Sequence, residues 1–215
     1  MNAVLEHLDV FWVGICTTLA LTLLAGTLAL AFGIVLAAMR VSAIKVLRAV
    51  GTSYVEIFRN VPSTILFFFA AFVLPEFGFR FSYFFFAVIA LTIYYASFFC
   101  EVVRSGINAV PIGQVEAARS VGMGFFAVLR IVVLPQGLRS TIPPLINVYI
   151  ALIKSTAIAS AFGVMELLAV MQNVVNEEGQ SVIAILLATA LFYLAITIPA
   201  GMIAGHLEQK QAFSR

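Results

Sequence analysis

Long apolar stretches separated by short polar breaks dominate the chain. Apolar residues run almost unbroken over 10–39, 57–74, 82–103, 142–165 and 182–205. Each stretch is close to or beyond the length a helix needs to cross a ~30 Å hydrocarbon core. The first is longer than crossing requires, so it is expected to tilt or to run past the bilayer surface. The second is the shortest, bounded by Arg59 and Glu76, with Pro62 near its start where a missing N–H costs least. The stretch between the third and fourth runs, 105–140, is too long for a turn and too regular to be slack. In it Pro111 and Gly113 interrupt the chain, and Glu116-Ala117-Ala118-Arg119 starts a helix-forming segment with its carboxylate in the first turn. Gly122 is expected to end that helix. A second helical stretch, 125–133, carries Arg130 among apolar residues and is expected to stop at Pro135. Two short helices joined at a glycine would form a compact knob outside the apolar layer.

The pattern predicts an all-α membrane protein, a single domain over 1–215 with five transmembrane helices and one helical loop. Composition agrees: 63% of residues are hydrophobic, mean hydropathy is +1.11, and only 10% are charged, against about 25% in soluble domains. The residues ahead of the first run include Glu6, His7 and Asp9 but no Lys or Arg, and the run stays uncharged to Met39. It is therefore expected to be a true span rather than a cleaved signal. Cys16 and Cys100 fall inside apolar runs and carry no disulfide or metal signal. His7 and His206 lie near opposite ends, so no histidine cluster points to metal or acid–base chemistry. The phenylalanine triplets at 67–69 and 84–86 are expected to face lipid.

Charge decides orientation. Arg40, Lys45, Arg48, Arg59, Arg104, Arg119, Arg130, Arg139, Lys210 and Arg215 fall on one side, ten of the 12 basic residues, whereas only Arg80 falls on the other. The basic side is read as cytoplasmic, with the N-terminus outside, the C-terminus inside and the 105–140 loop in the cytoplasm. The outer segments are acidic, with Glu6, Asp9, Glu76, Glu177 and Glu178.

Few charges enter the runs. Lys154 lies midway along the fourth, with Asn147, Ser155 and Thr156 nearby. An ammonium at that depth costs about 2.5–3.5 kcal/mol on insertion scales, so it must face a cavity or a partner. Either these residues line a translocation path in which Lys154 attracts a carboxylate, or Lys154 holds helices in register. Glu101 and Arg104, three apart near the end of the third run, form either a local ion pair or a gate responsive to the adjoining loop. Gly26, Ala29 and Gly33 share one stripe of the first run, and Gly201 and Gly205 another in the fifth. Both stripes would permit close helix contact, within the chain or across a dimer.

The loop carries a specific resemblance. Glu116-Ala117-Ala118, then Gly122, Val132 and Leu134-Pro135, resembles the coupling-loop signature of ATP-binding-cassette importer membrane subunits, with Val132 in place of the usual Ile. Further blocks resemble the polar amino-acid permeases. They are Tyr54, Glu56, Arg59 and Pro62; Glu101, Arg104, Gly106 and Ile107; Pro111, Gly113 and Gln114; Pro135-Gln136; and Lys154-Ser155-Thr156. The likeness covers about residues 10–205. Asn60, where many relatives carry Gly, and the segment 160–163 depart from it, which bears on substrate rather than family.

The resemblance implies a type I importer transmembrane domain, not an enzyme, whose loop (Glu116, Ala117, Ala118, Arg119, Gly122, Leu134, Pro135) docks on an ATPase subunit. It also implies two ATPase copies, a second permease subunit of the same or a similar chain, an external amino-acid-binding protein and a prokaryotic inner membrane. Membrane lipid is the remaining partner, and nucleic acid is not one. No G-x-x-x-x-G-K-[ST] phosphate loop occurs in the chain, so no cofactor is expected on it, and ATP and Mg belong to the motor subunit. A lysine in the path and acidic outer segments pull substrate preference in opposite directions, leaving a lean to glutamate or glutamine. The rival is an ion-coupled secondary transporter using Lys154 and Glu101, which leaves the helical loop unexplained.

Overall fold

The computed structural model describes residues 2–212, and every regular element in that range is helical. Arg215 and its charge lie outside the described residues. A short α1 (Asn2–Glu6) leads into α2 (Leu8–Val41), 34 residues without a proline. Thr17, Thr22 and Thr27 return their hydroxyls to carbonyls four residues back, as with Thr22 on Thr18, which gives those donors partners in an apolar setting. The small-residue stripe of α2 packs inside the chain. Ala29 is fully buried, and a Cβ on Gly33 would lie 2.7 Å from that of Phe99.

Next come α3 (Lys45–Asn60) and α4 (Ser63–Glu76), bent 101° from each other. The second apolar run was expected to begin at Ile57, but Ile57–Asn60 belongs to α3. Pro62 forces Val61 into an extended conformation (φ −86°, ψ 133°) and breaks the helix there. α5 (Tyr83–Asn108) is the central helix, with 56% of its most apolar window buried. It runs five residues beyond the expected 103, so the loop that follows is short. That loop holds α6 (Ile112–Ser120) and ends at α7 (Phe125–Phe162), 38 residues long.

Pro135 does not stop this helix, and the run expected at 142–165 starts at Phe125. A widened turn over Leu129–Val133, in which the Leu134 N–H reaches back to Leu129, relieves the clash a proline ring would otherwise make with the preceding turn. α7 tightens over Thr156–Phe162 and ends at Gly163 (φ +81°). α8 (Leu167–Glu177) and α9 (Val182–Ala212) complete the chain.

Helices α2, α5, α7 and α9 are each long and apolar enough to cross a membrane, and α3 with α4 makes a fifth crossing if the bent pair is one span. The main core joins α2, α5 and α7 through Leu21, Ala25, Leu91, Phe99 and Leu152, all fully buried. A smaller core joins α8 to α2 and α9 through Phe11, Leu167, Val170 and Ile185. α9 is the outlier, with only 11% of its window buried. The phenylalanine triplets do not all face outward. Phe67 and Phe86 are buried, and Phe67 stacks on Phe162 at 5.4 Å, because a helical triplet spans too wide an arc to keep one face.

Candidate translocation and coupling sites

The knob is built differently from the two expected helices. α6 begins at Ile112, with Pro111 ahead of it and the Gln114 N–H on the Pro111 carbonyl. Glu116 is therefore in the second turn and not the first, because Pro111 opens the helix instead of breaking it. Gly122 (φ +86°) closes it as expected: its own N–H bonds Arg119 and that of Met123 bonds Ala118, the closure a left-handed glycine allows. The second half of the knob is the first turn of α7. Between them Ile112, Val121, Phe125 and Phe126 stand exposed, Phe126 at 81%. Ala118 turns inward, while Glu116, Ala117 and Arg119 are exposed.

The knob is tied to the bundle at two places. The Gln136 side-chain amide donates to Gln114 Oε1 at 2.6 Å and to the Val132 carbonyl at 3.0 Å, bridging α6 to α7 beside Leu134 and Pro135. Just above, α5 and α7 touch through Gly106 and Gly137. A Cβ on Gly106 would lie 2.0 Å from Thr141 Cγ2 and 2.8 Å from the Gly137 carbonyl oxygen. The Ser140 hydroxyl donates to the Gly137 carbonyl at 2.8 Å.

At the same end of the bundle Glu101 is surrounded. It contacts Arg40 of α2, accepts from Arg104 at 2.9 Å, and lies 3.8 Å from Arg59 of α3, whose guanidinium also covers the Phe98 ring at 5.4 Å. The pair read from the sequence is thus part of a four-residue cluster pinning α2, α3 and α5 together. Arg40 and Arg59 come from other helices, so the spacing of three between Glu101 and Arg104 gave no sign of them.

Between α4, α5 and α7 an open cleft of about 390 Å³ is lined by Ser63, Tyr94, Tyr95, Phe98, Asn147 and Ser155, among others. The Tyr95 and Ser155 hydroxyls share a hydrogen bond at 2.6 Å. Of the four path candidates, Asn147 and Ser155 line this cleft. Lys154 is exposed and, seven residues from Asn147, occupies the same helix face. Thr156 is not in the cleft: it is fully buried, with its hydroxyl on the Ile153 carbonyl at 2.7 Å.

One polar residue escaped the sequence reading. Glu166 is fully buried ahead of α8, where Oε1 accepts from the Ala169 N–H at 2.8 Å and Oε2 from the Tyr193 hydroxyl of α9 at 2.9 Å. The Thr18 hydroxyl of α2 takes the Leu167 N–H at 3.2 Å, so α2, α8 and α9 share this junction. A lone carboxylate amid the apolar run Val164–Val170 was the available signal. Glu166→Ala would orphan two buried donors and should destabilise the purified protein by about 2–4 kcal/mol, read as thermal unfolding in detergent; Glu166→Gln should recover much of that loss.

Comparisons with known proteins fit this geometry. Residues 29–212 match the family described as binding-protein-dependent transport system inner membrane component. The glutamate transport system permease protein GluC of Corynebacterium efficiens is 35% identical over 97% of this chain and 95% of its own. The probable glutamine ABC transporter permease protein GlnP of Bacillus subtilis is 34% identical over 96% and 95%. A crystal structure of an amino acid ABC transporter with histidines superposes with a TM-score of 0.90 at 30% identity, covering 97% of both chains. The chain therefore belongs to the inner-membrane component family of binding-protein-dependent transport systems, as a non-catalytic permease subunit of an ABC transporter.

Proposed function

We propose that this permease carries glutamate or glutamine inward, taking it from an external binding protein, and that α6 with the first turn of α7 is the part its ATPase grips. The observation that carries the coupling half is the exposed apolar knob, braced to α7 by Gln114 and Gln136 and rooted where α5 and α7 meet at Gly106. A rigid knob passes a push to the spans, where a slack loop would absorb it. Glu101, held by arginines of α2, α3 and α5, makes those helices move as a unit and serves as the gate at the knob's end of the path.

Ten basic residues on the knob side support an inward-facing knob and an external N-terminus. The substrate reading rests on the relatives named for glutamate and glutamine and on Lys154, which offers a counter-charge to a substrate carboxylate beside the cleft. Five crossings make half a pathway, so two such subunits enclose it, with Asn147, Lys154 and Ser155 facing the shared axis. Two ATPase subunits bind ATP and Mg on the knob side, and their closure rocks the spans outward.

In vesicles, uptake should require both the ATPase subunit and ATP. Undiminished uptake without that subunit, or uptake that follows an imposed proton or sodium gradient, overturns the reading. Lys154→Met should lower uptake by about ten- to a hundredfold, the worth of one charge-assisted contact, while the assembled complex still forms. Normal uptake in that variant would assign Lys154 to helix packing instead.

A further inference from the structure

Helix α3 lies across the bundle rather than along it. Gly51 sits against Leu36, Met39 and Arg40 of α2, while Arg59, two turns on, reaches Glu101 and Phe98 of α5. These α2 and α5 residues share one level, since Arg40 and Glu101 touch. α3 therefore keeps a constant depth as it crosses two spans, then turns 101° into α4. That depth is the edge of the hydrocarbon layer. About 20 residues fill a ~30 Å core, and counted from Tyr83, where α5 begins, they end close to Glu101.

At 3.6 residues per turn α3 divides into three strips. Gly51 and Val55 are buried against α2 and α5. Beside them Val46, Val50 and Ile57 form an apolar strip, each more than half exposed. A third strip, Lys45, Arg48, Thr52, Glu56 and Arg59, is polar, with Lys45 and Arg48 exposed at one end and Glu56 the helix's single acid against three basic residues. An apolar strip and a basic flank at the level of a bilayer surface are the marks of an interfacial helix.

We propose that α3 is a strap seated on anionic phospholipid of the cytoplasmic leaflet. Val46, Val50 and Ile57 enter the acyl boundary, and Lys45 and Arg48 hold headgroup phosphates. Phosphate matches the charge surplus of the helix, and the acyl boundary matches a strip too apolar for water. The strap's far end carries Arg59 to Glu101, so the lipid seat and the charge cluster are one rigid piece. This inference rests on the reading above that the basic end is cytoplasmic.

The chain has one tryptophan, Trp12, near the opposite end. In a Trp12→Phe background, Val50→Trp reports on the strip when the permease, with its ATPase, is placed in phosphatidylcholine vesicles containing phosphatidylglycerol. Bromine is carried on the chains of one lipid or the other. Quenching by brominated phosphatidylglycerol should exceed its mole fraction by about fivefold or more, the worth of one basic residue near an anionic surface. Lys45→Gln with Arg48→Gln should bring it down to the mole fraction. Absence of quenching by either lipid, as when a second copy covers the strip, overturns the proposal. Quenching that tracks mole fraction before and after the substitutions overturns it equally. ATP-driven uptake by the same vesicles, with the external binding protein and its substrate supplied, separates the two readings: if it fails, the importer reading falls, and if it persists without headgroup preference, only the lipid seat falls.

Discussion

Val121→Asp together with Phe126→Asp should leave the permease folded and in the membrane yet lower ATP-driven uptake by about a hundredfold or more. Both side chains stand almost clear of the protein, so the substitutions disturb no internal packing. An exposed apolar pair, beside Ile112 and Phe125 on the same knob, is where an interface concentrates its energy, and losing two such anchors costs about 2–4 kcal/mol each, or roughly 30- to 1,000-fold apiece in affinity. Co-purification of the ATPase with the permease measures the loss directly, and uptake should fall in step. Should the ATPase stay bound and uptake remain normal, the contact lies elsewhere and the knob is only a connection between spans.

The second large effect lies inside the chain. Gly106→Val should abolish accumulation of the assembled complex, because α5 and α7 meet there backbone to backbone. Even Gly106→Ala places a carbon 2.0 Å from Thr141 Cγ2 and 2.8 Å from a carbonyl oxygen. Overpacking of this kind costs about 1–3 kcal/mol. Thr141→Ser removes the first clash and leaves the second, so in the Ala background it should recover part of the lost thermal stability. A Gly106→Ala protein as stable as the parent would show that the two helices part easily. The knob would then be mounted on a joint rather than a fixed root.

Much of this architecture was open to reading from residues alone, for identifiable reasons. A membrane span is a local property of some twenty apolar residues, and the loop announced itself because Glu116, Gly122 and Leu134-Pro135 keep their spacing within one stretch of chain. What stayed hidden depended on distance or on a compensating distortion. Pro135 reads as a helix stop unless the widened turn just ahead of it is known, and nothing local specifies that turn. Glu101 reads as one half of an ion pair because Arg40 and Arg59 arrive from helices far away in sequence. Thr156 looked like a path residue by proximity to Lys154, but the tightening of α7 at that residue turns its hydroxyl into the core. Glu166 was missed because it lies one residue beyond the expected end of the fourth run.

The sparse burial of α9 has a consequence for biosynthesis. α9 is translated last, and the bundle of α2, α5 and α7 buries its own core without it, so that bundle can consolidate while α9 is still being translated. When α9 arrives it contributes Ile185 to the small core and Tyr193 to the waiting carboxylate of Glu166. The final helix is thus less a pillar than a latch, fastened last, whose closing gives the second oxygen of Glu166 its partner.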